Sequence, residues 1–181
     1  MKGNRNIIGL LNYFLFVDGF IEILEYAEKG ELTKYIIPND TFINEKIAFK
    51  IFYKIYSAVY TLHKANIVHR DLKLDNILIN IDGDIKICDF GLSRILSIQE
   101  LQKFNNIQSK NQIILRSSFV GSGQYLPPEI IESLEGPLFS VDVWCLGVIL
   151  YNLLFKKMPF DVKVIQIFKL INFLRNSPWM N

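Results

Sequence analysis

In the second quarter of the chain, charged and polar side chains are densest in the sequence HRDLKLDN, at residues 69–76. Phosphoryl transfer from a nucleotide needs a carboxylate that orients the attacking hydroxyl and accepts its proton, a cation near the phosphoryl oxygens, and oxygen ligands for Mg²⁺. This stretch and the DFG sequence after it contain such a set: Asp71, Lys73, Asn76 and Asp89. The residue types therefore favour a magnesium-dependent phosphoryl-transfer site.

A long helix is predicted just before this cluster. Between residues 44 and 64, apolar side chains recur at spacings of three and four, which is typical of one buried face of an amphipathic helix. The predicted buried positions are Ile47, Ile51, Ile55, Ala58, Val59 and Leu62. Asn44 is the expected N-cap of this helix.

A β-hairpin is predicted just after the cluster. The β-branched runs 77–81 and 85–88 flank the turn sequence Asp82-Gly83-Asp84. This hairpin would return the chain so that Asp89 shares a metal ion with Asn76. Mg²⁺ accepts few protein ligands beside phosphate oxygens and water, and an Asn and an Asp can provide them.

The other predicted elements place a small strand pair before a mainly helical body. Runs 10–16 and 20–26 flank Asp18-Gly19, which indicates a hairpin. A short strand is expected at residues 67–68, and helices are expected near 32–37, 141–154 and 164–174. Residues 93–119 are polar and lack a sustained period, which predicts a long loop with a short helix around 96–104.

Composition predicts a globular protein. Half of the 181 residues are apolar, and the net charge of +2 comes from 20 basic and 18 acidic residues without a basic block. We therefore expect neither nucleic acid nor a membrane as partner. Cys88 and Cys145 are expected as buried free thiols in a reducing compartment. The apolar run 143–155 is shorter than the roughly 20 residues that span a bilayer, and an intracellular protein, cytoplasmic or nuclear, is expected.

HRDLKLDN and DFG together resemble the signatures of the eukaryotic protein kinase superfamily, and the lysine two positions after Asp71 is typical of the serine/threonine type. The resemblance implies Asp71 as catalytic base and Lys73 as a phosphate-contacting cation. It implies Asn76 and Asp89 as metal ligands, and Gly91 as the flexible end of the metal loop.

A nucleotide site is implied by the sequence FIEILEYAEKGEL, at residues 20–32, which resembles the last N-lobe strand and the hinge of that family. The implied contacts are Leu24 as gatekeeper, Glu25 and Ala27 as backbone contacts to adenine, Glu31 as ribose contact, and Leu78 as the floor under adenine. Taken alone, apolar residues of this kind are more often plain core, and only their placement in the resemblance favours a nucleotide contact.

The sequence GSGQYLPPE, at residues 121–129, resembles the family's segment that ends in APE, with Pro127 in place of Ala. Ser122 then falls where a hydroxyl bridges the catalytic Asp and Lys. Ser118 falls at a common phosphorylation position, and Arg70 would pair with that phosphate. The alternative, a solvated loop serine like its neighbours Ser109 and Ser117, remains open.

DVWCLGVILYNLLFKKMPF, beginning at Asp142, resembles the central buried helix of the kinase C-lobe. Asp142 is expected to accept hydrogen bonds from the backbone of the catalytic loop. We also expect the positive end of its helix to stabilise this carboxylate.

The predicted fold is α+β and protein kinase-like, with a partial N-lobe β-hairpin plus a mainly helical C-lobe. Residues 1–26 would be N-lobe strands up to the hinge, and 27–181 a C-lobe incomplete at its C-terminus. The resemblance covers nearly all of these residues but only roughly two thirds of a kinase domain, since no GxGxxG loop, no VAIK-like lysine and no arginine partner for Glu129 are present.

The predicted function is transfer of the ATP γ-phosphate to Ser/Thr hydroxyls of a protein substrate, with ATP and Mg²⁺ as cofactors and an upstream kinase as a further partner. Without the phosphate-covering loop, little activity is expected of these 181 residues alone. The alternative is a non-catalytic kinase-like remnant that binds or scaffolds. A small-molecule phosphotransferase of related fold is disfavoured by Lys73, GSGQYLPPE and DVWCLG.

Overall fold

The structure, a computed structural model, describes residues 4–36, 44–99, 101, 123–127 and 138–161. In chain order its elements are β1 (Leu10–Phe16), β2 (Gly19–Leu24), β3 (Gly30–Glu31), α1 (Thr33–Ile36), α2 (Glu45–Lys64), β4 (Ile67–Val68), β5 (Ile77–Ile79), β6 (Ile85–Ile87), β7 (Arg94–Ile95) and α3 (Leu138–Phe155). Short 3₁₀ turns lie at Leu74–Asn76 and Gly123–Tyr125.

Helix α2 begins where the sequence predicts. The Asn44 side chain accepts a hydrogen bond from the backbone N–H of Ile47 at 2.9 Å, so the N-cap prediction is confirmed. The predicted buried face is wrong at Ile47, whose side chain is 46% exposed. Ala48, the next residue, is buried instead, because the line of core contacts through Ile55 and Leu62 passes through position 48.

Helices α2 and α3 pack together and enclose the core with β5 and β6. The largest fully buried side chains of these elements are Ile55, Val59, Ile77, Ile87, Ile149 and Leu153. Burying each such side chain stabilises the fold by about 1.5–3 kcal/mol. None of the helices in the described ranges is long and apolar enough to be a candidate membrane span.

The predicted amino-terminal hairpin is confirmed, with β2 ending at Leu24 rather than at residue 26. Phe16 pairs with Gly19 around a turn at Val17 and Asp18. Every residue of both strands is exposed. The hairpin thus extends from the body without a layer of described residues over either face.

A second sheet has the order β3-β5-β6 and is antiparallel throughout. The predicted turn between β5 and β6 is present, with Gly83 at φ 81° and the Asn80 side chain accepting from the Asp84 backbone N–H at 2.8 Å. A segment at residues 6–8 borders β6, because the Ile87 N–H donates to Asn6 O at 2.8 Å. This segment ties the chain before the hairpin to the strand that leads into DFG.

The remaining predicted elements have mixed outcomes. Helix α3 contains the predicted 141–154 and begins three residues earlier, whereas α1 is shorter than predicted and ends at Ile36. Of the short helix predicted around 96–104, residues 98, 99 and 101 are helical, whereas 96 and 97 are not; the others lie outside the described residues. The predicted helix 164–174 lies outside the described residues. The division into an N-lobe up to residue 26 and a C-lobe stays a prediction.

Candidate active site

The loop at residues 69–76 is anchored by a buried carboxylate of α3. Asp142 is fully buried, and its two oxygens accept the backbone N–H groups of His69 and Arg70, each at 2.9 Å. The Nε2 atom of His63, at the end of α2, lies 2.8 Å from Oδ2 of the same carboxylate. The prediction that Asp142 accepts from this backbone is confirmed.

The prediction that the positive end of helix α3 stabilises the Asp142 carboxylate is wrong. Asp142 is the fifth residue of α3, which begins at Leu138, so it lies beyond the helix's first turn. The helix dipole acts mainly within the first turn. The carboxylate is stabilised by its hydrogen bonds instead, and these satisfy a group that would be costly to bury without partners.

Asp71, Lys73 and Asn76 meet at one carboxylate oxygen. Oδ2 of Asp71 lies 2.7 Å from Lys73 Nζ and 3.0 Å from Asn76 Nδ2. The same amide nitrogen donates to the backbone carbonyl of Asp71 at 2.9 Å, which closes the loop on itself. Asp71 is 7% exposed, so its carboxylate is held by charge-assisted bonds in a largely dry setting. Such an oxygen can accept a proton from a bound hydroxyl.

Asp89 is placed beside this group by the strand pairing. The backbone N–H of Cys88 donates to Asn76 O at 3.0 Å, so DFG begins directly alongside the end of the catalytic loop. Asp89 is exposed and has φ 62°, a left-handed conformation that is rare outside glycine. The Gly91 N–H lies 3.4 Å from its Oδ1, and a Cβ at Gly91 would come to 3.3 Å from that oxygen. Gly91 thus leaves room for the Asp89 carboxylate.

The oxygen atoms that Asn76 and Asp89 offer as ligands fit a magnesium ion. The amide nitrogen of Asn76 is bonded to Asp71, so its amide oxygen points the other way, and Asp89 adds an exposed carboxylate. Mg²⁺ needs only one or two such protein ligands beside phosphate and water. In the described ranges no three His, Cys, Asp or Glu side chains form a metal-binding cluster, and a two-ligand site does not require one.

His69 joins the catalytic loop to DFG, a role that the sequence reasoning did not assign. Its Nε2 lies 3.0 Å from Cys88 O, its Nδ1 accepts from the Asp71 N–H at 3.3 Å, and its ring contacts Phe90 with centroids 4.9 Å apart. These partners require the neutral ring with its proton on Nε2. Burial, opposed in part by the Asp142 charge, lowers the pKa of His69.

The predicted nucleotide contacts lie on β2, β3 and β5 and on the segment between β2 and β3. Leu24 ends the exposed hairpin, and Ala27 is buried with its carbonyl accepting from the Gly30 N–H at 3.0 Å. Glu31 is directly opposite Leu78 in the β3–β5 pairing. Residues paired in this way project to one face of a sheet, so the structure brings Glu31 and Leu78 together.

The Glu25 side chain has a partner that the sequence reasoning missed. Its Oε1 lies 2.6 Å from Nζ of Lys86, and its Oε2 accepts from the Gly9 N–H at 3.1 Å. The bond from Lys86 holds the pKa of Glu25 below its ordinary value. Lys86 is 8% exposed in an otherwise apolar strand, and a lysine in the run IKI was the available signal that a carboxylate lies nearby.

The predicted regulatory positions are only partly described. Arg70 is partly buried at φ 72°, and burial together with the nearby Arg94 charge lowers its pKa. Ser118 and Ser122 lie outside the described residues. Both cysteines are free, as the sequence predicts; the predicted burial is confirmed for Cys145, whereas Cys88 is only half-buried.

Comparison with known proteins gives a consistent family. The protein kinase domain model matches residues 1–177. NUAK family SNF1-like kinase 1 of Mus musculus is 40% identical over 158 residues, which cover 86% of this chain and 21% of that protein. A probable serine/threonine-protein kinase MARK-C of Dictyostelium discoideum is 44% identical over 141 residues, covering 77% of this chain and 16% of that protein. Aurora kinase B of Mus musculus is 35% identical over 158 residues, which cover 86% of this chain and 40% of that protein.

The aligned part of this chain spans between 16% and 40% of the length of these three relatives. The match nevertheless includes the sequences FIEILEYAEKGEL, HRDLKLDN and DFG, since it extends from residue 1 to residue 177. The chain belongs to the eukaryotic protein kinase superfamily, in its serine/threonine branch.

Proposed function

We propose that this chain forms the catalytic core of a protein serine/threonine kinase, which transfers the γ-phosphoryl group of ATP to Ser or Thr hydroxyls of a protein substrate. The observation that carries the proposal is the shared oxygen of Asp71, bonded to Lys73 Nζ at 2.7 Å and to Asn76 Nδ2 at 3.0 Å. This contact holds a proton acceptor and a cation at one place, as phosphoryl transfer requires.

In the proposed reaction, Asp71 orients the substrate hydroxyl and accepts its proton as the phosphoryl group is transferred. The Lys73 ammonium, one contact away, offsets negative charge on the transferring oxygens. Asn76 and Asp89 would hold Mg²⁺, which supplies further charge neutralisation on the phosphates. The neutral ring of His69 keeps the Asp71 backbone in place through its Nδ1 contact.

The nucleotide in this proposal lies against the hinge and β5. The backbone of Glu25 and Ala27 would contact adenine, with Leu24 as gatekeeper and Leu78 as the floor. Glu31 would bind the ribose. Support comes from the β3–β5 register, which puts Glu31 and Leu78 on one face, and from the Lys86 bond that fixes Glu25.

We also propose how the core is regulated and where it acts. An upstream kinase would phosphorylate Ser118, the phosphate would pair with Arg70, and Ser122 would bridge Asp71 and Lys73. The partly buried Arg70 guanidinium supports this, since buried cations favour a bound anion. Two free thiols support a reducing compartment, either cytoplasm or nucleus.

The test is phosphotransfer from radiolabelled ATP with Mg²⁺, using the protein tagged at its own genomic locus and phosphoamino-acid analysis of the product. Asp71→Asn should lower transfer to Ser and Thr by about 10²-fold or more. Asp75→Asn, an exposed position in the same loop, is the matched control and should retain activity.

Two outcomes contradict the proposal. Equal transfer by Asp71→Asn and the unsubstituted protein would show that another enzyme or another base is responsible. Absence of transfer by a protein that remains folded would favour the non-catalytic, kinase-like binding module instead.

A further inference from the structure

The outer face of α2 carries a row of exposed aromatic side chains. Their spacings of four, three and four residues place them on one side of the helix, away from the buried face. The row consists of Phe49, Tyr53, Tyr56 and Tyr60, of which Tyr53 is 70% exposed and the others about half exposed. The rings of Tyr56 and Tyr60 stack at 6.2 Å, and Lys64 Nζ lies 5.5 Å from the Tyr60 centroid. A contiguous exposed row of this kind typically marks an interaction surface.

A row of lysines runs beside the aromatic row. Lys46, Lys50 and Lys54 recur every four residues. Lys54 pairs with Asp84 at 2.8 Å, whereas Lys46 and Lys50 make no ion pair with any residue that the structure describes. Arg5, across from them, likewise has no ion pair within those residues. The surface therefore carries an excess of positive charge beside apolar rings.

A groove separates these rows from the chain segment at residues 4–6. Asn4 fixes that segment to α2, because its Nδ2 donates to Ser57 O at 3.1 Å and to Thr61 Oγ1 at 2.8 Å. The groove has a volume of about 860 Å³ and is lined by Phe49 and Tyr53 together with the basic side chains of both walls. This volume accommodates several side chains of a bound peptide. None of its lining residues belongs to the proposed active site.

We propose that this groove, the basic-aromatic groove, docks an acidic segment of another protein that carries aromatic or aliphatic residues between its Glu or Asp residues. Lys46, Lys50 and Arg5, which have no ion pair within the described residues, would attract the acidic side chains of the segment. The exposed aromatic rings would contact its apolar side chains. The occupant is a peptide because the site is a walled concave groove. Nucleic acid or an anionic bilayer would need a wider basic surface than a chain with 20 basic and 18 acidic residues provides.

The test is fluorescence anisotropy of a labelled probe peptide in which Glu alternates with Phe and Leu, titrated with the 181-residue chain. We expect saturable binding that weakens as salt is added. The double variant Lys46→Glu/Lys50→Glu and the variant Tyr53→Ala should each bind about tenfold more weakly. Lys157→Glu and Ile98→Ala, exposed positions outside the groove, are matched controls and should bind like the unsubstituted chain.

Further probes distinguish the possible occupants. A peptide with Lys in place of each Glu, one with Ala in place of each Phe and Leu, an oligouridylate and phosphatidylserine vesicles should all bind more weakly than the first probe. Equal binding of the acidic and basic peptides, no binding of the acidic peptide, or no loss in the groove variants would overturn the proposal. Tighter binding of RNA or vesicles through the same lysines would also overturn it.

Discussion

Asp142 and Arg70, which are 72 residues apart in sequence, are joined by a hydrogen bond of 2.9 Å from the Arg70 backbone N–H to Asp142 Oδ1. Arg70 has φ 72°, a conformation that costs a non-glycine residue about 1–2 kcal/mol. The hydrogen bond to Asp142 offsets this cost because it holds the backbone of Arg70 in that conformation. Helix α3 therefore determines the backbone from which Asp71 projects.

Asp142→Asn should lower the free energy of unfolding by about 2–4 kcal/mol. The amide keeps the size of the side chain but replaces one acceptor oxygen with an NH₂ group, which must then face the backbone N–H of either His69 or Arg70. Urea denaturation followed by circular dichroism measures the change. Asp18→Asn, an exposed turn position, is the matched control and should change stability by less than about 0.5 kcal/mol. Equal effects of the two substitutions would contradict this account of Asp142.

Local features of the fold could be read from the sequence. The N-cap at Asn44 depends on residues a few positions apart and is present in the structure. The turn that Asp18-Gly19 predicts is also present, shifted by one residue to Val17 and Asp18. The gathering of Asp71, Lys73 and Asn76 is also local, because all three lie in one short loop. Such short-range preferences are the part of folding that spacing and residue type determine.

Contacts between distant residues were harder to predict. Glu25 and Lys86 are separated by two helices and three strands, and no periodicity links a carboxylate just after β2 to a lysine inside β6. Likewise, the His69 ring forms hydrogen bonds with Cys88 O and with the Asp71 N–H. The first of these requires DFG to fold next to His69, which the sequence spacing does not indicate. The wrong prediction of burial at Ile47 has a different cause. At the end of an apolar stripe, spacings of three or four residues do not determine whether position 47 or position 48 faces the core.

Glu25→Gln should cost about 2 kcal/mol at neutral pH, because it leaves the nearly buried Lys86 ammonium without its charged partner. It should also change the acid dependence of stability. The native pKa of Glu25 lies below its ordinary value of 4.5, so the unfolded chain binds the proton first. The contribution of this carboxylate is therefore complete above about pH 4.5 and is lost as pH falls through the native pKa.

Unfolding free energies from pH 7 to pH 3 check both effects. The difference between the unsubstituted chain and Glu25→Gln should narrow as the pH decreases. Glu22→Gln, on the exposed strand β2, provides the control and should follow the unsubstituted chain at every pH. A constant difference between the unsubstituted chain and Glu25→Gln would show that the charge of Glu25 does not contribute.

His69 should make the fold sensitive to mild acid. Burial lowers its native pKa below 6.5, so the unfolded chain gains a proton in a range where the native ring stays neutral. The stability associated with His69 is therefore complete above about pH 6.5 and decreases below it, by up to about 1.4 kcal/mol per pH unit. Protonation of His69 would also put a hydrogen on Nδ1, the atom that accepts from the Asp71 backbone N–H, and this hydrogen bond would be lost.

Urea denaturation between pH 7.5 and pH 5.5 checks this expectation when the chain is compared with His69→Gln. The variant should be less stable at pH 7.5, and its stability should fall less steeply on acidification. His63, which contacts Asp142, is present in both proteins. Parallel pH profiles would contradict the assignment of the effect to His69.

The exposed hairpin should promote self-association of this chain. Leu11 and Leu15 of β1 are 68% and 75% exposed, and a two-stranded hairpin whose edges pair with no other described strand is a template for pairing with another copy. Leu11→Lys/Leu15→Lys should therefore lower static light scattering at a given concentration by severalfold. The midpoint of thermal unfolding should change little, because neither side chain packs in the core. The matched control is Ile81→Lys/Ile98→Lys, which adds the same charge at two exposed apolar positions outside the hairpin. If this control lowers the scattering equally, net charge rather than the hairpin governs the association.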